Sequence, residues 1–159
     1  MEKANAEKFI KKVLKLAGKN AAENSGGPFA AIIVRKNKIV SFARNRVTRK
    51  NDPTAHAEIE AIRKAAKKLK NFNLSDCVIF SSCKPCPMCL GAIYWAGIKK
   101  LYYSADTKTA AKYGFKDLLI FKELAKPESK RKVRMTRVDN PAEELPFKIW
   151  KNSPGKKKY

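Results

Sequence analysis

No apolar run in this chain approaches the roughly 18 residues that cross a bilayer. The N-terminus is broken by Lys or Glu every few residues and lacks the apolar stretch of a secretory signal. No membrane partner is therefore expected, and a reducing, cytoplasmic compartment is. Cysteine is scarce, with four in 159 residues. In that compartment a disulfide framework is excluded, and the cluster Cys83, Cys86 and Cys89 reads as metal chemistry. Cys77 stands apart in Cys77-Val78-Ile79-Phe80 and reads as a small buried hydrophobe. His56 is the only histidine. Acids are outnumbered, 14 Asp and Glu against 36 Lys and Arg, which leaves a net charge of +22. Such a field attracts polyanions. However, the basic residues are spread over 8–19, 63–70, 126–137 and 148–158, with no interleaved aromatic stripe. A solvated surface is the favoured reading, and a nucleic-acid partner is possible but not favoured.

What is present is a globular pattern. The hydrophobic content of 44% argues against disorder. Phe9, Ile10, Val13, Leu14 and Ala17 recur at helical spacing, and Asn24-Ser25-Gly26-Gly27-Pro28 ends that helix. Residues 29–35 and 39–42 predict a hairpin joined at 36–38, followed by a polar loop to Pro53. A second helix should carry Ile59, Ile62, Ala66 and Leu69 on its buried face, with Thr54 as its N-cap. Strands are expected at 78–81 and 101–104, and a proline-started helix at 87–95. Helices at 109–113 and 117–124, a strand at 133–138 and a helix at 142–150 complete the chain. With no repeat or linker, residues 1–159 read as a single α/β domain in three layers with a mixed sheet.

The segment Thr54-Ala55-His56-Ala57-Glu58 is followed by Pro85-Cys86-Pro87-Met88-Cys89. This resembles the His-x-Glu and Pro-Cys-x-x-Cys signature of zinc-dependent nucleobase deaminases. Zinc takes four tetrahedral ligands, and a catalytic site keeps one position for water. His56, Cys86 and Cys89 would leave that position open. Cys86 and Cys89, three apart in a first helical turn, share one face, where the helix dipole favours thiolate. His56 and Glu58 would point to nearly opposite faces of a regular helix, so His56 must lie at the helix entrance. The alternative is a closed structural site with Cys83 as fourth ligand. The acid two residues after the sole histidine favours a catalytic site with Glu58 as proton carrier, because a structural site has no use for that carboxylate. Cytosine C4, adenine C6 and guanine C2 all suit such a centre.

Longer stretches narrow the choice. Residues 51–58 and 82–96, then Tyr113-Gly114-Phe115 with Asp117, Pro146-Phe147, Trp150, Asn152 and Lys157-Lys158-Tyr159, are similar to bacterial guanine deaminases of the cytidine-deaminase-like superfamily. The resemblance implies an α/β/α sandwich with a mixed five-stranded sheet, a zinc cofactor and a purine substrate. It also implies a homodimer in which the segment from about 140 to 159 crosses to the partner and Tyr159 closes the neighbouring site. On this resemblance Asn45 hydrogen-bonds the purine, Phe29 and Trp95 line its pocket, and the backbone at Ala57 forms part of the wall. Asp117 reads the guanine and assists proton transfer. The chain departs from the family in its charge and in Lys116, where relatives tend to carry an acid. Glu143 or Glu144 is a further source of an acid. These departures keep guanosine and an aminotriazine among the substrates. The rivals are a tRNA adenosine deaminase and a non-enzymatic, zinc-stabilised nucleic-acid-binding protein.

Overall fold

The computed structural model describes residues 3–158. Helix α1 (Lys3–Ala22) leads into the hairpin β1 (Ala30–Arg35) and β2 (Lys38–Arg44). A four-residue helix, α2 (Val47–Lys50), falls where a loop was expected; its short polar sequence offers no apolar periodicity. Then come α3 (Ala57–Leu69), β3 (Cys77–Cys83), α4 (Pro87–Trp95), β4 (Lys100–Ala105), α5 (Thr107–Lys112), α6 (Asp117–Ala125) and α7 (Leu145–Asn152). The hairpin closes through Lys36 and Asn37, both with positive φ of 47° and 57°. Two left-handed residues make the tight turn whose twist matches that of the flanking strands.

Among the described residues the sheet has four strands in the order β2-β1-β3-β4, not five. It is mixed: β1 runs antiparallel to β2 and β3, and β3 runs parallel to β4. The fifth strand expected at 133–138 is not a strand; Val133 and Val138 are 76% and 82% exposed. Alternating side chains gave that segment strand character, but alternation without a neighbouring ladder leaves the backbone unpaired.

The central strand β1 is buried on both faces, as period-two alternation demands of a strand covered by helices on either side. Ala30, Ile32 and Val34 pack with Phe80 against Phe9, Val13 and Ala17 of α1. Ala31 and Ile33 face the other way, with Ile79, onto Ala57, Ala61 and Ala65 of α3 and Ile93 of α4. Three layers result, helix on sheet on helices. The buried edge of α3 is this alanine row, whereas the expected Ile59, Ile62, Ala66 and Leu69 are only half-buried. Small side chains let α3 lie close to the sheet, and Ser41 Oγ donates to the Ala61 carbonyl at 2.7 Å. Thr54 is not the N-cap. Its backbone N–H and hydroxyl both donate to Asp52 Oδ1, at 2.8 and 2.7 Å, and the helix starts three residues later.

The chain groups into two compact units, Met1–Phe121 and Lys122–Tyr159. None of the described residues in the second unit is buried; Leu145, Phe147 and Ile149 are all more than half exposed. No helix among the described residues is long and apolar enough to cross a membrane.

Phe80 is fully buried between the rings of Phe9 and Tyr102, each centroid 5.0 Å away. Phe80→Ala should cost about 3–5 kcal/mol in urea unfolding. A loss below about 1 kcal/mol would show that this face contributes little to stability.

Candidate active site

Two helix starts meet at the site. His56 is the N-cap of α3, in extended backbone (φ −66°, ψ 154°), and Cys86 is the N-cap of α4 in the same conformation (φ −65°, ψ 167°). Pro87 opens α4, where its missing N–H and fixed φ carry no penalty. The extended backbone at His56 resolves the facing problem. Its side chain leaves before helical geometry begins, while Glu58 projects from the first turn, so both reach one volume. Ligand atoms of His56, Cys86 and Cys89 all lie within 4.8 Å of one another. His56 Nδ1 is 3.6 Å from Cys86 Sγ. Donors around one tetrahedral zinc, with bonds of about 2.0–2.3 Å, stand roughly 3.4–3.8 Å apart. One imidazole and two thiols at this separation fit zinc, and among the described residues the group contains no fourth side chain.

Cys83 lines the cavity but stands outside the group. Its Sγ lies 3.6 Å from the Asp106 carbonyl oxygen, and burial pushes its thiol up to about 11. Cys83 is therefore a neutral thiol donor. Cys86 is the opposite case. The facing Cys89 thiol, with His56 behind it, holds Cys86 down to about 4 although burial acts the other way. Cys89 is pushed upward by its hydrogen bond to Cys86, by burial and by Glu58. The same Cys86 contact raises His56.

Glu58 is 6% exposed. Desolvation raises its carboxyl above the ordinary range, and the hydrogen bond from Ser81 opposes that rise. Ser81 Oγ donates to Glu58 Oε1 at 2.7 Å, and Cys89 Sγ to Oε2 at 3.5 Å. The carboxylate is thus fixed between Ser81 and the Cys89 sulfur. Sequence reasoning missed Ser81; the signal available was a polar pair, Ser81-Ser82, inside an otherwise apolar strand. Ser82 also contributes, since its Oγ accepts from the Ala30 amide at 3.1 Å beside Phe29.

A cavity of about 300 Å³ opens over these groups, lined by Phe29, Asn45, His56, Glu58, Cys86 and Asp117 among others. Asn45 Oδ1 accepts from the amides of Gly27 and Val47, both at 3.2 Å. Two N–H donors on one atom identify it as the oxygen and leave Nδ2 as the uncommitted donor of a residue that lines the cavity. Phe29 meets Phe115 edge to face, with centroids 4.6 Å apart, and the pair forms one wall. Asp117, the first residue of α6, is half-buried, and desolvation raises its carboxyl. Val47, Thr48, Lys84 and Phe115 also line the cavity, and none of them was assigned a role there from the sequence. Trp95 does not line it. It lies at the far end of α4, eight residues from Pro87, and is 72% exposed. A rise of about 1.5 Å per residue carries it roughly 12 Å from the helix start. Ala57 is fully buried at the start of α3 and is not part of the cavity lining. Tyr159 lies outside the described residues.

The difference between Cys86 and Cys83 is measurable. In metal-free protein near pH 6, Cys86 should be a thiolate and react with iodoacetamide at least about tenfold faster than Cys83 or Cys77, and zinc should protect it. Faster modification of Cys83 would contradict this charge distribution.

Residues 3–105 match the family model described as the cytidine and deoxycytidylate deaminase zinc-binding region. The chain is 46% identical over 155 residues to the guanine deaminase of Bacillus subtilis strain 168, covering 98% of this chain and 99% of that one. It is 37% identical over 113 residues to a tRNA-specific adenosine deaminase of Buchnera aphidicola subsp. Schizaphis graminum, covering 71% and 75%. The X-ray structure of the Bacillus subtilis guanine deaminase superposes with a TM-score of 0.93 at 45% identity, over 100% of this chain and 99% of that one. Likeness to the adenosine deaminase covers 71% of the chain, whereas likeness to the Bacillus protein covers 98%. The chain belongs to the cytidine and deoxycytidylate deaminase zinc-binding family, in the branch that includes the Bacillus subtilis guanine deaminase.

Proposed function

We propose that this protein hydrolyses guanine to xanthine and ammonia, with His56, Cys86 and Cys89 holding zinc and Glu58 carrying protons. The supporting observation is the convergence of three ligand atoms with the buried Glu58 carboxylate beneath one cavity. It occurs in a chain that aligns over almost its full length with a guanine deaminase. Zinc, when bound, supplies Lewis acidity that brings water within reach of deprotonation near neutral pH.

The remaining work falls to side chains. Glu58 takes a proton from the attacking water and delivers it to the ring nitrogen beside C2. It then passes the second water proton to the leaving amine. Oxygen ends on C2 and nitrogen leaves as ammonia, so atoms balance. A carboxyl raised by burial suits a group that both accepts and returns a proton. Ser81 holds one oxygen of Glu58 and keeps the other toward the site. Asn45 Nδ2 donates to an acceptor on the purine, Phe29 packs on the ring, and the Ala57 backbone supports the wall. Asp117 accepts from the donor edge of guanine, which adenine lacks, and assists proton transfer.

The homodimer belongs to the same proposal. The second unit buries none of its described residues yet carries Phe147, Ile149 and Trp150 on α7. A helix with that apolar content needs a surface to cover it. Crossing of the segment from about 140 to 159 to a partner supplies one, and brings Tyr159 to the neighbouring cavity. The exposed Trp95 serves the assembled site in this reading, as does the apolar end of α4 around Tyr94. The compartment is the cytoplasm.

Zinc-loaded protein should release ammonia from guanine in preference to guanosine, adenine, cytosine or a tRNA anticodon stem-loop. Glu58→Gln should retain zinc and lose about 10²–10⁴-fold in kcat. Turnover of the stem-loop but not of guanine would overturn the substrate assignment, and full activity of Glu58→Gln would remove Glu58 from the mechanism. Deletion of Tyr159 should raise KM for guanine with zinc content unchanged; wild-type kinetics in that variant would reject the closing role.

A further inference from the structure

Asn20 is a polar side chain, 1% exposed, in a helix whose buried neighbours are Phe9, Val13 and Ala17. Its amide nitrogen donates to the Gly27 carbonyl at 2.7 Å and to the Asn45 carbonyl at 3.0 Å. Both acceptors belong to residues that line the cavity. The two acceptors are also joined to each other, because the Gly27 amide donates to Asn45 Oδ1. The Asn45 amide in turn donates to the Phe29 carbonyl at 2.9 Å. Gly26 comes so near that a Cβ placed there would lie 2.5 Å from the Asn45 carbonyl oxygen. Its φ of +144° suits glycine alone.

Three chain segments therefore meet at one NH₂ group: the end of α1, the turn at 26–29, and the residue following β2. An amide has two hydrogens, and here each serves a different carbonyl. Serine offers one hydrogen and a shorter reach, aspartate offers none, and a hydrophobe would leave both carbonyls without this donor. The junction matters because Asn45 is constrained on three sides. Its carbonyl is held by Asn20, its Oδ1 by Gly27 and Val47, and its backbone N–H by Phe29. The one polar group left is Nδ2, on a residue that lines the cavity.

Resting on the guanine reading, we propose that Asn20 is a positioning residue for substrate specificity. It fixes the direction of the Asn45 Nδ2 donor and does not itself touch the purine. Displacing a binding group by about 1 Å can cost up to about 10²-fold. The effect of losing Asn20 therefore belongs to purine binding and not to the proton transfers at Glu58.

The test uses full-length, zinc-loaded protein and four variants: Asn20→Asp, which keeps the shape, Asn20→Ala, Asn45→Ala, and Asn20→Ala with Asn45→Ala. Both Asn20 substitutions should raise KM for guanine about tenfold while kcat stays within about threefold. Zinc content should remain at the wild-type value. In the Asn45→Ala background, removal of Asn20 should change KM by less than about twofold, since the donor it orients is already gone. A merely structural residue would lower kcat and zinc content together and would exert its full effect in that background. That pattern, or wild-type KM in both Asn20 variants, overturns the proposal. If one Asn20 variant does not fold, the other and the double-variant comparison decide. Wild-type protein assayed in parallel separates the two claims. Absence of ammonia release from guanine there would sink the substrate reading itself, whereas wild-type turnover with full additivity would sink only the role of Asn20.

Discussion

Three soft donor atoms and a carboxylate must share one small buried volume, and most of the local structure follows from that constraint. Two thiols and an imidazole within 4.8 Å of one another are not held by a disulfide or by packing alone. They are held because two helices begin at the same place. Each donor-bearing N-cap, His56 and Cys86, sits in extended backbone before its helix closes, so each side chain leaves freely toward the centre. The starts of both helices direct unpaired N–H groups and the positive ends of their dipoles at the site, which favours anionic sulfur. The parallel strands β3 and β4, with β1 alongside, form the platform that sets α3 and α4 side by side.

The same volume separates the roles of chemically similar groups. Cys83 and Cys86 are three residues apart, yet burial holds the first near 11 while its neighbours hold the second near 4. Glu58 and Asp117 are both raised by desolvation, but Glu58 is anchored between Ser81 and the Cys89 sulfur while Asp117 stands at the start of α6 on the cavity wall. The proposed mechanism uses the first acid for proton traffic and the second for reading a substrate edge. In the proposed reading specificity also rests on amide geometry, because Asn45 spends its oxygen on the amides of Gly27 and Val47 and leaves its nitrogen uncommitted.

Much of this was legible in the sequence because the chemistry demands particular residues at particular spacings. His56, Glu58, Cys86 and Cys89 could be named from their motif, and the need for His56 to stand at a helix entrance followed from a 100° turn per residue. Pro87 marked the start of α4. Other features were not legible. α2 has no periodicity to betray it, and the buried face of α3 is an alanine row that hydropathy ranks below Ile59 and Ile62. The strand expected at 133–138 failed because alternation encodes a face but not a partner. Thr54 resembled a cap by residue type, although Asp52 had already engaged its hydroxyl. Ser81 and Asn20 act through contacts distant in sequence, so no local pattern marks them.

X-ray absorption on the zinc-loaded protein addresses the central claim most directly. The account predicts two sulfur neighbours at about 2.3 Å and two lighter ones near 2.0 Å, one of them an oxygen that exchanges with solvent. A shell of three sulfurs and one nitrogen, with Cys83 taking the fourth position, would contradict it and leave a structural zinc in place of an active site.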